Sequence, residues 1–390
     1  MNLAPPERVA AAPGIRRARS PGLEATWVDR GALRELHLTL VPLPGETVAA
    51  LGSRLDAMLE ANDATVVRHE VFGPTAAWPA LCRADAGRGS GWDWPVTWTE
   101  GASCAGSDIA GMHVFAVSGV PVETVFLEGR AVGRVFDDGS ARHCLLGGVL
   151  PADPAAPRDV QARQVFERIE AALKSTDLSM TDVARTWLFL DDILAWYGPL
   201  NQVRRDFFAQ RHLFDHLVPA STGVGVRNPA GAAMVAGAWA AEPRDDRFLA
   251  GEVLSPLQCP APQYGSCFSR AVEMVSPDLH RLFVSGTASI EPKGTSVCAD
   301  DVDGQIDLTL QVVRAILVSR GMDYPDVNRA TAYLRRPGDE PLFRGWLARL
   351  GLEDWPLVVT QAVVCRDELL FEIELDALAP AAPAAPPGEP

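Results

Sequence analysis

Three acids stand at alternate positions near the end of the chain, Glu372, Glu374 and Asp376. In an extended strand over Leu369–Leu375 successive side chains point to opposite faces, so Phe371, Ile373 and Leu375 share one face and the three carboxyls the other. A carboxyl there can deliver a proton near neutral pH only if burial or a neighbouring carboxylate raises its pKa. Without such a device the three acids are a solvated strand face. The chain has 35 basic and 50 acidic residues, a net charge of −15, which argues against a nucleic-acid groove or an anionic membrane surface. An anionic small molecule would have to be held by a local group of arginines. The seven cysteines lack C-x-x-C spacing, and of the seven histidines His212 and His216 form an i, i+4 pair with no third ligand nearby. Neither set reads as a disulfide framework or a metal site.

These residues need elements to position them, and an internal repeat supplies the plan. The segment QARQVFERIEAALKSTDLSMTDVARTWLFL from Gln161 matches QIDLTLQVVRAILVSRGMDYPDVNRATAYL from Gln305 at a constant offset, without a gap. The match pairs Gln161 with Gln305, Asp182 with Asp326 and Arg185 with Arg329. Each copy reads as an amphipathic helix, a turn carrying Asp-Val-x-Arg, and a strand. Apolar alternation precedes each copy (Thr124 to Leu150; Arg281 to Ile290), and a second helix and two strands entered through proline follow it. The result is a duplicated α+β unit, a mixed sheet with two helices packed on one face. Upstream, strands at Glu35 to Val41 and Thr65 to Phe72 flank a helix at Glu46 to Ala61, suggesting a third layer of the same kind. The expected division is a flexible extension (1–25), an N-terminal α+β layer (26–105), a first domain (106–245), a second domain (246–378) and a disordered Pro/Ala tail (379–390). With 390 residues, 47% of them hydrophobic, and no apolar run near the ~20 residues of a membrane span, a soluble, cytoplasmic protein is expected.

Ser285-Gly286, Gln305, Asp326-Val327, Pro356 and Glu372-Ile373-Glu374 resemble the Rid (YjgF-like, chorismate-mutase-like) domain pattern. Four longer motifs resemble the chorismatase family: SPLQCPAPQYGSCFSRAVE (Ser255 to Glu273), VSGTASI (Val284 to Ile290), PASTGVG (Pro219 to Gly225) and CRDELLFEIE (Cys365 to Glu374). The likeness runs roughly from Gly106 to Asp376. It implies tandem Rid-like domains that convert chorismate to pyruvate and either a dihydroxycyclohexadiene carboxylate or a hydroxybenzoate, with no metal or organic cofactor. Rid deaminases grip an imino-acid carboxylate with an arginine two residues after the proline of the Pro-led strand. Ser221 and Val358 occupy those places here, so the deaminase reading loses its key residue in both halves.

The resemblance makes Glu372 the general acid that protonates the enol-ether methylene of chorismate. It assigns Cys365, seven residues earlier, to shaping the pocket and hindering water, as in members that form 3-hydroxybenzoate, some of which also yield 4-hydroxybenzoate. Two substrate carboxylates call for bidentate arginines. Arg270 and Arg205 are the first choices, with Arg204 as the alternative to Arg205. Tyr264 would hydrogen-bond a carboxylate, Gly223 and Gly286 would admit backbone N–H groups close to the ligand, and Thr222 and Ala288 would line the same cavity. Arg185 and Arg329 are assigned to structure because both halves keep them, and Trp187, Trp196 and Tyr197 to the core. Hydrolysis to the diene diol, and a silent module binding an aromatic acid, are the competing readings. Rid domains usually trimerise; a chain with two or three such layers satisfies those interfaces internally, so a monomer is expected.

Overall fold

The computed structural model describes residues 8–9, 14–77, 92–104, 107 and 109–381, without the side chains of Arg8, Val9 and Tyr264. Three sheets form in chain order. The first holds β1 (Arg8–Val9), β2 (Ile15–Ser20), β3 (Leu23–Arg30), β4 (Leu33–Leu40), β5 (Thr65–Phe72), β6 (Thr97–Thr99) and β7 (Gly111–Ser118), in spatial order β1-β2-β3-β4-β7-β5-β6. The second holds β8 (Glu123–Leu127), β9 (Arg130–Asp137), β10 (Ala141–Val149), β11 (Val183–Leu190), β12 (Ala220–Gly225) and β13 (Met234–Pro243), in order β12-β11-β13-β10-β9-β8. The third holds β14 (Leu249–Val253), β15 (Ala271–Val275), β16 (Leu279–Ala288), β17 (Val327–Leu334), β18 (Leu357–Gln361) and β19 (Phe371–Pro380), in order β14-β15-β16-β19-β17-β18. Reversing the second order shows one plan repeated three times: a meander, a closing strand inserted beside it, and a parallel edge pair (β5/β6, β11/β12, β17/β18).

Helix α1 (Val48–Asn62) covers the first sheet, α2 (Arg158–Lys174) and α3 (Ile193–Gln210) the second, and α4 (Val302–Val318) and α5 (Glu340–Leu350) the third. The residues common to the two sequence repeats explain why each unit closes. Gln305 donates to the carbonyls of Cys298 and Glu368 and accepts from the Leu370 N–H, tying the start of α4 to the entry of β19. Gln161 does the same with Pro154, Ala156 and Ala233. Asp182 and Asp326 each accept the N–H of the residue that caps their own tight turn, Ser179 and Asp323, satisfying donors that a helix start leaves open.

The sheet faces turned away from the helices pack on one another around a shared interior. There the Phe72 ring lies 6.2 Å from Phe189 and 6.4 Å from Tyr333, one residue from each layer. Edge strand β12 meets β16, β6 meets β10 and β13, and β18 meets β4 and β7, so each layer hands an edge to the next in a closed cycle. Three of the expected boundaries differ. Strand β2 lies in the expected flexible extension; it pairs with β3, and Arg17 donates to the carbonyls of Asp326 and Leu378. Strand β7 was expected in the first domain but hydrogen-bonds between β4 and β5. Strand β19 continues to Pro380, into the expected tail, of which residues 382–390 lie outside the described residues. Among the described residues no helix is long and apolar enough to cross a membrane.

Candidate active site

The β12–β16 seam opens into a small cleft. One wall is α3 and β12 of the second layer; the floor is β16 and β19 of the third. Strand alternation turns Glu372 towards this seam, as expected, and the cleft brings it together with Cys365, Arg270, Gly223, Gly286 and Ala288. Gly286 is needed for that approach, because a Cβ there would collide with the Glu372 carboxyl. Gly223, by contrast, faces open space, with Leu190 the nearest neighbour of an added Cβ at 3.9 Å.

Two expected ligand residues stand elsewhere. The Arg205 guanidinium leaves the cleft to donate to the Gly265 carbonyl at 2.8 Å. Arg204, the alternative, is buried and lines the cleft, donating to the Cys267 carbonyl. Thr222 lies behind the wall: its hydroxyl accepts from Arg185 at 2.6 Å and from the Gly286 N–H at 2.9 Å. The Tyr264 side chain is outside the described residues. Tyr197, assigned to the core, lines the cleft and hydrogen-bonds the Cys365 thiol. Arg366 and Ser221 also line it. Arg366 immediately follows Cys365 in a motif already noticed, and Ser221 holds the place where a Rid deaminase has its arginine.

The arginines are pinned by two backbone carbonyls and one serine hydroxyl. Arg270 donates to the Cys259 carbonyl at 3.0 Å, and Arg366 to Gly294 and Ser296 at 3.0 Å each. These bonds fix guanidinium groups at the cleft wall, the side-chain type best matched to carboxylates.

Glu374 and Asp376 are not a solvated face. Glu374 is fully buried and accepts from Arg185 and Arg329, each at 2.5 Å, and from Tyr333 at 3.2 Å. Buried carboxylates persist only when paired and hydrogen-bonded; the two arginines hold this one ionised well below the usual range, against its burial. The repeated arginines are thus structural, as expected, and Arg68 is a third copy. Each follows a bulge at the same point of its strand, after Val66, Val183 and Val327. Trp187 is sandwiched in this group, with the Arg68 guanidinium 3.4 Å from its ring centre.

Ionised Glu374 in turn acts on its neighbour. Burial, and after it the charge of Glu374, push Glu372 up to about 8, opposed by Arg185 and Arg270. Burial and then Glu372 push the Cys365 thiol up to about 12, which keeps it neutral. The site is therefore a protonated carboxyl and a neutral thiol in a cleft walled by three arginines. It can give a proton to a bound dianion; it is not built for thiolate attack.

A family model described as endoribonuclease L-PSP matches residues 143–235. A chorismatase crystal structure is 18% identical, covers 80% of this chain and 93% of its own length, and superposes with a TM-score of 0.60. Single-domain structures match as well: the Rid-family protein YyfA from Yersinia pestis (17% identity, 33% of this chain, 98% of that chain, TM-score 0.28) and yeast Mmf1 (16%, 33%, 98%, 0.27). No curated protein sequence matches. The fold is that of tandem Rid/YjgF-like domains. Its arrangement over most of the chain is that of the chorismatase structure.

Proposed function

We propose that the protein is a chorismatase that converts chorismate to pyruvate and 3-hydroxybenzoate. The observation that carries this reading is Glu372, a carboxyl buried at the floor of the cleft and held protonated to about pH 8 beside arginine-rich walls. Chorismate is a dianion with an acid-labile enol ether, and Arg204, Arg270 and Arg366 suit its two carboxylates. Glu372 donates its proton to the terminal methylene carbon of the enolpyruvyl group. The ring C–O bond then breaks, its electron pair goes to the ether oxygen, and pyruvate leaves. The neighbouring C4 hydroxyl oxygen bonds to the carbon so released and gives its proton back to Glu372. The resulting arene-oxide-like species opens and loses a ring proton to yield the phenol. The two products together have the composition of chorismate, so no water is consumed.

Cys365 and Tyr197 support the intramolecular route over hydrolysis, since a neutral thiol capped by a phenol offers water little foothold. Pyruvate release from chorismate, with chromatographic separation of the aromatic products, tests the proposal. Equimolar pyruvate and 3-hydroxybenzoate, with turnover lowered about 10²–10⁴-fold in Glu372→Gln, is the expected result. Pyruvate with a diene diol would overturn the intramolecular step. No pyruvate would overturn the activity.

A further inference from the structure

The meander hairpin of each sheet is closed differently in the layer that carries Glu372. Strands β2 and β3 are joined by Pro21 and Gly22, and β8 and β9 by Glu128 and Gly129, the short turn that adjacent antiparallel strands need. The corresponding strands β14 and β15 pair just as closely, Val253 with Ala271, yet residues 254–270 run between them. A connection of that length in a compact fold usually has a function of its own. This one crosses the seam where Glu372 stands. Its entry is fastened to the third layer, where Gln258 donates to the carbonyls of Ala288 at 3.0 Å and Ile290 at 2.9 Å. Its exit is fastened to the second layer, where Ser269 donates its N–H to the Pro219 carbonyl and its hydroxyl to that of Val218.

Between these anchors the strap forms a turn bonded to itself. Gln263, Gly265 and Ser266 donate their N–H groups to the carbonyls of Pro260, Pro262 and Ala261. Gly265 completes the turn with a φ of 91°, a conformation that favours glycine. Helix α3 holds the turn from the second layer: the exposed Arg205 donates to the Gly265 carbonyl at 2.8 Å, and Arg204 donates to the Cys267 carbonyl. On the inner side Ser266 hydrogen-bonds Tyr197, which hydrogen-bonds the Cys365 thiol, and Ser266 and Phe268 complete the cleft wall. With the strap in place Glu372 is 4% exposed and Arg270 2%. A ring bearing two carboxylates can therefore reach them only if part of the wall moves. The strands and α3 are packed into hydrophobic cores, whereas Pro262 and Gln263 of the strap stand in solvent.

We infer that residues 254–270 are a gate over the cleft and that Arg205 latches it. Opening admits the ligand, and closing restores the chain from Ser266 through Tyr197 to Cys365 and excludes water. Arg205 is thus a positioning residue that acts through the strap. The gate itself is independent of the reaction; its part in excluding water rests on the proposed function, in which water in the cleft would divert chorismate to the diene diol. Cys267 on the strap, 4% exposed, reports opening, and Cys144 in the core of the second layer, 0% exposed, reports general unfolding. Iodoacetamide labelling of the native chain, followed peptide by peptide by mass spectrometry, should be about 2–10-fold faster at Cys267 in Arg205→Ala than in wild type, the range for loss of one hydrogen bond. Cys144 should be unchanged, and Arg205→Lys, which keeps a donor, should lie between the two. Given chorismate, Arg205→Ala should shift the products from 3-hydroxybenzoate towards the diene diol. Equal labelling of Cys267 in wild type and Arg205→Ala would overturn the gate, whether or not the chain turns over chorismate, as would faster labelling of Cys144 to the same degree. Faster labelling of Cys267 alone with an unchanged product ratio would overturn the water-excluding role.

Discussion

Glutamine at position 372 separates what the buried acid costs from what it does. The carboxyl sits at about 8, against an ordinary value of 4.5. At pH 7 a carboxyl at about 8 is protonated in roughly nine molecules of ten, and one at 4.5 in roughly one of 300. Folding thus makes the acid form about 300-fold more abundant. The same displacement appears in stability. A group that binds its proton more tightly when folded contributes stability that is complete below pH 4.5 and is lost as pH rises to about 8. At about 1.4 kcal/mol per pH interval of one, the loss has a ceiling of about 5 kcal/mol. Glutamine keeps the shape and has no proton to lose. Urea unfolding should therefore place Glu372→Gln within about 1 kcal/mol of wild type at pH 5 and about 2–5 kcal/mol above it at pH 9. Glu24, also raised to about 8 by burial, is common to both chains and cancels in the difference. Pyruvate release from chorismate should be lowered about 10²–10⁴-fold at both pH values, while wild-type turnover declines above about pH 8. Equal stability profiles for the two chains would refute the burial argument, and retained turnover would refute the assignment of the acid.

Three further outcomes follow from the same network. Glu374→Gln takes from buried Arg185 its hydrogen-bonded anion, while Arg329 keeps Glu70, so unfolding free energy should fall by about 3–5 kcal/mol; in the folded fraction the alkaline limb of turnover should move to lower pH, because the anion that helps raise Glu372 is gone. Thr222→Val removes the acceptor shared by Arg185 and the Gly286 N–H, and should cost about 1–3 kcal/mol in denaturant unfolding without touching the cleft wall. Cys365→Ser exchanges a neutral thiol for a hydroxyl that orders water, and chromatography should show the product ratio moving from 3-hydroxybenzoate towards the diene diol.

The sequence repeat made the second and third layers legible because its shared residues are the ones that close each unit, Gln161 and Gln305 at the strand entries and Asp182 and Asp326 at the turns. Alternation in Phe371–Pro380 likewise revealed which acids share a face. It did not reveal what covers that face, so Glu374 was expected in water; Arg329 reaches it from the neighbouring strand β17, and only the packing of the second layer on the third brings Arg185 to it. The choice between Arg204 and Arg205 was in fact written in α3. Leu200, Arg204, Phe207 and Phe208 are its buried face at spacings of three and four, and Arg204 is the arginine in that stripe. The first layer was legible in its helix and two strands but not at its margins. The start of β2 is Ile-Arg-Arg-Ala-Arg, which has the polarity of a tail and is held by pairing to β3 and by Arg17 reaching another layer. Tyr197 was hidden for a related reason: an aromatic at helical spacing looks the same whether it meets the core or a cleft.

Why one seam of three carries an acid can be put to experiment by moving it. Val235 corresponds to Glu372, lies in a cleft, and has Gly148 where Glu372 has Gly286. The double variant Glu372→Gln, Val235→Glu would place a carboxyl at the corresponding point of that cleft, again 3% exposed if it takes the valine's place, and burial alone would raise its pKa. What the cleft at Val235 lacks is the set Arg204, Arg270 and Arg366; among the described residues that line it, Arg130 is the one arginine. A dianion would bind there with one of its carboxylates unpaired in a partly desolvated site, a cost of several kcal/mol. No pyruvate should therefore be released by the double variant at any pH where it stays folded, although its transplanted acid is protonated. Turnover in that variant would mean that a buried acid in a Rid-like seam suffices, and that the three arginines are dispensable for catalysis.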